Sequence, residues 1–391
     1  MNTEGLKSMV IAEVDARREE LVELSLRIHA NPELGLKETK ASGWLAGYLE
    51  SNGFDVERGI CQLPTAFRAS YGSQKPNVGI LAEYDALPKL GHACGHNIVG
   101  TAAVGAGVAT KLVIDRVGGQ VTVYGTPAEE LEGGKAIMAN RGAFRDLDAA
   151  MKMHPANANR VSSWSLAAMG VRVEFRGKSV HASSHPEEGI NALEALILSF
   201  NHINSLRQHV KEKSRIHGII TNGGEAANVV PDYAAGSFLV RAEDDAYLAE
   251  LWQKVLKCFE AGALATGAQF SYQLRDVNYL ALRTNQVMAG LGAENIRRLG
   301  REVVPAETEK GYGSTDLGNV SVLVPAVSFN LSIAPSGVDV HQPEFCAAAA
   351  SDTGHQALLD GAKVIAMTAV DLLTEPEIMT KVKEEFVAGK G

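Results

Sequence analysis

The chain has 391 residues, 46% hydrophobic and 21% charged, with a formal net charge of −9. That composition belongs to a globular protein with a large core. The acidity argues against a nucleic-acid partner, which would need a basic face. The length predicts two or three domains.

The four cysteines, Cys61, Cys94, Cys258 and Cys346, are scattered and form no paired framework. This fits free thiols in a reducing compartment. Residues 1–14 carry charges and no long apolar stretch, so they do not read as a signal peptide. No run approaches the roughly 20 uninterrupted apolar residues of a membrane span. The expected setting is the cytoplasm, with no membrane partner.

In chain order, Val14, Leu21, Leu24 and Ile28 recur at helical spacing, which predicts one amphipathic helix over 10–30, ended by Asn31-Pro32. A second helix is expected over 38–52, with Gly53 as its cap. Strands follow at 65–71 and 78–83, then a buried helix at 98–114 and a strand at 120–125. A helix at 134–143 leads to a strand at 149–153 that ends at His154. Alternating strands and helices predict a parallel sheet covered on both faces. Sites in such sheets form beyond the carboxyl ends of the strands.

From about residue 168 the pattern changes. Strand 170–175, helix 191–209, strands 216–222 and 235–242, helix 245–261 and strand 269–274 give the β-α-β-β-α-β order of a split ferredoxin-like domain. After Leu282 the alternation resumes. A helix is expected at 286–299, a glycine-broken loop at 311–316, a strand at 326–330, a loop at 339–345 and a last long helix at 355–373. The predicted fold is therefore α/β. A discontinuous catalytic domain, 1–168 and 282–391, holds a central, mostly parallel sheet. An α+β ferredoxin-like lid and dimerisation domain, 169–281, is inserted in it.

The chemistry gathers at strand ends. Gly91-His92-Ala93-Cys94-Gly95-His96-Asn97 follows strand 78–83. Thiolate sulfur and imidazole nitrogen are ligands that zinc-like metals prefer. Thr126-Pro127-Ala128-Glu129-Glu130 follows the next strand, and its tandem carboxylates can divide the work between metal binding and proton transfer. Taken alone, each feature is bland: a core cysteine, an acidic turn, a surface histidine at 154 or 341. Together at the ends of one sheet they suit two metals sharing a bridging ligand.

Four motifs occur in order: His92-Ala93-Cys94-Gly95-His96, Pro127-Ala128-Glu129-Glu130, Met153-His154 and His341-Gln342-Pro343-Glu344-Phe345. They resemble those of the dinuclear metallo-aminoacylase and carboxypeptidase family, in particular its amidohydrolase branch. The stretch 91–97 and Gly313-Ser314-Thr315-Asp316 are similar to the sub-branch of aminobenzoyl-glutamate hydrolases and of dipeptidases cleaving β-alanyl-lysine-type peptides. The resemblance covers nearly the whole chain. It implies two divalent ions, manganese or zinc with cobalt and nickel as further candidates, bound by Cys94, His96, Glu130, His154 and His341. Cys94 would bridge them. Glu129 would be the general base, and Asp85 a carboxylate that orients a ligand.

In the inserted domain, residues 177–183 match a motif whose histidine, here His181, stabilises the oxyanion. In several relatives it comes from the neighbouring subunit. Asn228 and Arg241 resemble positions that hold a substrate carboxylate, and Gly313 and Ser314 complete the substrate set. Asn97 stands where the hippurate-hydrolase branch usually has Asp, a change expected to remove a charge beside the site. Glu83 and Glu132 are spare carboxylates. His29, His185, His202, His209, His217 and His355 read as structural or exposed.

The resemblance implies a metal-dependent hydrolase of an amide bond. Its small-molecule substrate would be an N-acyl amino acid, an aminobenzoyl-glutamate-like conjugate or a dipeptide. A homodimer through the inserted domain is expected. Two alternatives stay open: the same scaffold deaminating an aromatic amine or cleaving a carbamoyl group, and a non-catalytic metal-binding homologue. Retention of Glu129 beside the ligands argues against the second.

Overall fold

A computed structural model describes residues 2–161, 164–305 and 313–389. Gly311 and Tyr312 of the expected glycine-broken loop lie outside the described residues. The described residues form two compact units. The first runs to Trp164 and resumes at Leu282. The second is built on Ser165–Ala281, with Gly313, Ser314 and Thr315 grouped with it.

The first unit opens with α1 (Thr3–Ala16), capped by Asn2, and α2 (Arg18–His29). One helix was expected here. The chain instead breaks at Arg17, whose backbone (φ −99°, ψ 12°) is not helical. The Val14-to-Leu21 spacing suits one helix or two, and no Gly or Pro marks the break. Next come α3 (Thr39–Ser51), β1 (Asp55–Arg58), β2 (Phe67–Gly72) and β3 (Asn77–Ala82). β1 carried no readable signal, because it is four residues long and mostly exposed and polar.

α4 (His96–Val117) is the central helix of this unit. By length and composition it could cross a membrane, but 89% of its most apolar window is buried inside the protein. Its small residues allow that burial: a Cβ at Gly107 would lie 2.6 Å from Val123. β4 (Gln120–Gly125), α5 (Gly134–Asn140), β5 (Ala149–Ala156) and β6 (Arg160–Val161) follow. β5 continues two residues beyond His154, which therefore sits within the strand.

The second unit holds β7 (Ala167–Arg176), α6 (Ala192–Leu206), β8 (Arg215–Asn222), β9 (Tyr233–Ala242), α7 (Asp245–Thr266) and β10 (Gln269–Leu274). Its sheet is antiparallel in the order β10-β7-β9-β8, the ferredoxin-like arrangement. The helices close it over a separate core containing Phe175, Phe238, Leu251 and Phe259.

The first unit is completed by α8 (Gln286–Arg298), α9 (Leu317–Ser321), β11 (Ala326–Ser332), α10 (Pro343–Ala348), α11 (Asp352–Thr374) and α12 (Pro376–Ala388). Two expectations change here. Pro343 sits in the first turn of α10, where its missing N–H costs nothing, so residues 343–345 are helical and not loop. Pro376 likewise opens α12 directly after α11, a helix the sequence reading missed. The large sheet has the order β1-β2-β4-β3-β5-β11-β6. Its central strands β4, β3, β5 and β11 are parallel, and β1, β2 and β6 are antiparallel at the edges.

Four charged side chains tie these elements together beneath the sheet's carboxyl end. Glu83, just past β3, meets Lys135 of α5 at 2.7 Å and Lys152 of β5 at 2.5 Å through one oxygen. Lys135 reaches Asp316, which precedes α9, at 2.6 Å, and its backbone N–H donates to the other Asp316 oxygen. All four are buried. Two negative and two positive charges balance, which is what makes their burial tolerable. Lys152→Met is therefore expected to destabilise the protein by about 3–5 kcal/mol in denaturant unfolding, as removal of one partner from a buried pair does. The double change Glu83→Gln with Lys152→Met should cost less than Lys152→Met alone. Equal losses would show that packing, and not charge balance, governs these positions.

Candidate metal centre

The parallel strands deliver their donors to one place. Asp85, two residues beyond Glu83, is buried and uses both oxygens. Oδ1 lies 2.9 Å from His96 Nδ1, and Oδ2 accepts the backbone N–H of Glu130 at 3.0 Å. With Nδ1 so occupied, His96 turns Nε2 into the interior. That atom has no hydrogen-bond partner among the described residues and lies 3.6 Å from Glu83 Oε2.

Cys94 enters one residue before Gly95. Gly95 has φ 77°, and a Cβ there would lie 2.7 Å from Pro155, so glycine meets both demands of this turn. The Cys94 sulfur lies 3.5 Å from His154 Nε2, whose Nδ1 is held by the Pro155 carbonyl at 2.7 Å. His341 (φ 69°) donates its backbone N–H to the Ala93 carbonyl. Its Nε2 lies 3.3 Å from Glu130 Oε2. The five residues expected as ligands are thus brought together, from four separate stretches of sequence.

Their donor atoms fall into overlapping groups, each with all atoms within 4.8 Å of one another: Cys94, His96 and His154; Cys94, Glu130 and His341; His96, Glu129 and Glu130. The sulfur belongs to the first two. The donor set fits a cation: sulfur, imidazole and carboxylate converge, and the buried His96 Nε2 and Glu130 Oε1 have no hydrogen-bond partner among the described residues. Glu83, Glu129 and Asp316 form a fourth, acidic group, but two of its carboxylates, Glu83 and Asp316, are already paired with Lys135 and Lys152.

The electrostatics follow from burial and neighbours. Burial pushes the Cys94 thiol up, against the pull of His96, so its thiolate calls for a cation at its side. Burial, with Lys152 nearby, pushes His154 down to about 3, leaving the neutral imidazole that ligates metals. Burial raises Glu129, helped by repulsion from Glu83 and Asp316. Burial would raise Glu130 too, but the His341 hydrogen bond and the His96 charge outweigh it and hold Glu130 low.

Sequence reasoning missed Lys135, Lys152 and Asp316. One signal was available: Lys152 interrupts the apolar run 149–153, and a lysine in a fully buried strand demands a carboxylate. Asn97 is buried and uncharged. Its amide donates to Ser25 Oγ at 2.9 Å and to the Ala349 carbonyl at 3.1 Å. It ties α4 to α2 and the end of α10, and its side chain does not add to or subtract from the charge of the centre.

In the second unit, the expected substrate residues form two groups. Arg241 Nη1 donates to Ser314 Oγ at 3.1 Å, its buried Nε has no hydrogen-bond partner among the described residues, and the Gly313 carbonyl accepts from Leu166 N–H. His181 is exposed, its Nδ1 near Ser183 Oγ at 3.2 Å, and the adjacent Ala182 N–H donates to the Asn228 carbonyl. Arg241 lies near the end of β9 and Asn228 before its start. From Tyr233 to Arg241 the strand takes eight steps, roughly 27 Å at about 3.4 Å per residue.

Residues 167–266 match the family model of the M20 peptidase dimerisation domain. The chain is 35% identical to the Xaa-Arg dipeptidase of Mus musculus, with 98% of this chain and 92% of that protein covered. It is 31% identical to one of the subunits of the p-aminobenzoyl-glutamate hydrolase of Escherichia coli, covering 95% and 93%. Its fold is similar to that of a dinuclear metal-binding peptidase of the M20 family from Bacillus subtilis (TM-score 0.69, 21% identity, 92% and 99% covered). Relatives of this identity along nearly the full length place the chain in the M20 family of metal-dependent peptidases and aminoacylases, as a hydrolase of amide bonds.

Proposed function

We propose that the protein is a dinuclear hydrolase cleaving an amide whose amine side is an amino acid with a free carboxylate. The observation that carries this reading is the Cys94 sulfur, common to a His96–His154 group and a Glu130–His341 group. Two divalent ions bound there would polarise the scissile carbonyl and activate water. Sulfur favours zinc, while imidazole and carboxylate also accept manganese, so these two are the proposed metals.

Glu129 is required by neither Cys94 group and lies within 4.8 Å of donor atoms of His96 and Glu130. Its role is to take the proton of the attacking water and return it to the leaving amine, a contribution of roughly 10²–10⁴-fold. Arg241, whose buried Nε has no partner among the described residues, suits the carboxylate of the substrate, since a planar guanidinium matches it. The substrates named in two relatives, an Xaa-Arg dipeptide and p-aminobenzoyl-glutamate, both carry that carboxylate. Free cysteines favour a reducing compartment, the cytoplasm.

The proposed assembly is a homodimer through the second unit. Its edge strand β8 exposes Ile219 and Ile220 along an unpaired ladder. The proposed oxyanion donor His181 then acts on the partner's site. The length of β9 supports this: the backbone of an extended dipeptide spans about 7 Å, too short to reach both Arg241 and the His181–Asn228 group of one chain.

Two experiments test the reading. With an Xaa-Arg dipeptide and p-aminobenzoyl-glutamate as probes, Glu129→Gln should keep its metal while kcat falls roughly 10²–10⁴-fold; near-normal kcat would move the base elsewhere. Mixing inactive His181→Ala with inactive Glu129→Gln should restore activity, because the mixed dimer contains one site with both residues intact. No recovery after verified subunit exchange would place His181 in cis.

A further inference from the structure

The residue just before the tandem carboxylates, Ala128, is left-handed, with φ 57°. An L-residue with a Cβ is disfavoured there, and glycine is the usual solution. Something must hold alanine in place. Its carbonyl accepts from Gly133 N–H at 2.8 Å and Gly134 N–H at 3.2 Å, closing the turn that carries Glu129 and Glu130. Its own N–H donates to Glu38 Oε1 at 2.8 Å.

Glu38 comes from a distant part of the chain. It precedes α3, and its backbone carbonyl accepts from Ser42 N–H. The side chain is fully buried. Its second oxygen accepts from Thr65 Oγ1 at 2.9 Å, and the Thr65 carbonyl accepts the Tyr84 hydroxyl at 2.6 Å, one residue before Asp85. Gly35, three residues earlier, packs against the same turn: a Cβ there would lie 2.9 Å from the Ala128 Cβ. The segment 35–38 thus clamps the Ala128 turn from outside, and Glu38 links it through Thr65 to the strand end that carries Asp85.

We propose that Glu38 is a positioning residue whose carboxylate holds Ala128 in the left-handed conformation that presents Glu129 and Glu130 to the metal centre. Glu38 is not one of the grouped donors, and its contact with the turn is to the Ala128 backbone N–H. A buried acceptor is effective here because the low local dielectric strengthens the hydrogen bond and leaves Ala128 N–H no solvent to turn to. Only the acceptor is required, so a glutamine oxygen serves as well as a carboxylate. The effect on turnover rests on the roles proposed above for Glu129 and Glu130. The effect on the turn does not.

The test uses the full chain loaded with Mn²⁺ and reads amide hydrogen exchange beside kinetics on p-aminobenzoyl-glutamate and an Xaa-Arg dipeptide. In Glu38→Ala, exchange in segment 127–134 should rise at least about tenfold, with β3 and β5 unchanged, because the Ala128 N–H has lost its acceptor. In the same variant kcat should fall at least about tenfold, with KM changed by less than about threefold, since the loss lies in presenting the reacting groups. Glu38→Gln should behave nearly as the native chain. Adding Ala128→Gly to Glu38→Ala should restore most of kcat, because glycine adopts the left-handed region unaided.

Unchanged exchange in Glu38→Ala, a Glu38→Gln variant as impaired as Glu38→Ala, or no recovery with Ala128→Gly would each overturn the proposal. If Glu38→Ala does not accumulate folded, Ala128→Val replaces it. A β-branched residue is strongly disfavoured at that φ, so the same segment should loosen selectively, and native-like exchange there would overturn the proposal. Should neither probe be hydrolysed by the native chain, the functional reading fails, while the exchange data still decide the role of Glu38.

Discussion

Asp85 places one carboxylate oxygen 2.9 Å from His96 Nδ1 and the other 3.0 Å from the Glu130 amide. That pair of contacts fixes which nitrogen of His96 faces inward and where the Glu130 turn begins. Two donors from different strand ends are thereby set by one side chain, itself immobilised by burial. Orienting partners of this kind are as much a part of a metal centre as its ligands. The sheet makes the arrangement possible, because β3, β4 and β5 run parallel and end side by side.

The charges beneath the donors follow the same economy. Glu83, Lys135, Lys152 and Asp316 pair with one another in the interior. Cys94 and Glu130 are the acidic groups of the two overlapping donor sets. Burial opposes ionisation of the thiol, so ion binding and proton release from Cys94 are linked, and affinity should rise with pH as for other thiolate sites.

Much of the architecture is legible in the sequence because periodicity and turn chemistry report local structure. The ferredoxin-like order and the parallel strands that lead into the Cys94 and Glu129 loops are of this kind, whereas the expected ligands were implied by the resemblance of four motifs. What escapes is set by distance in the chain. The break at Arg17 has no local marker, and β1 is too short and polar to show a period. Lys152 finds Glu83, and Glu38 finds Ala128, only after the strands pair. Asn97 reads as part of the site from its neighbours in sequence, yet its first-turn position on α4 turns it to Ser25 and Ala349. Asn228 and Arg241 read as one substrate set, and the length of β9 separates them.

The central claim is that one sulfur serves two ions. Equilibrium titration of metal-stripped protein with Zn²⁺ or Mn²⁺, read by elemental analysis, tests it most directly. The native chain should take two ions. His341→Ala should lose one, because His341 belongs to one Cys94 group only. Cys94→Ala should weaken both, because the shared ligand is gone. Two ions bound by Cys94→Ala with native affinity would contradict the account.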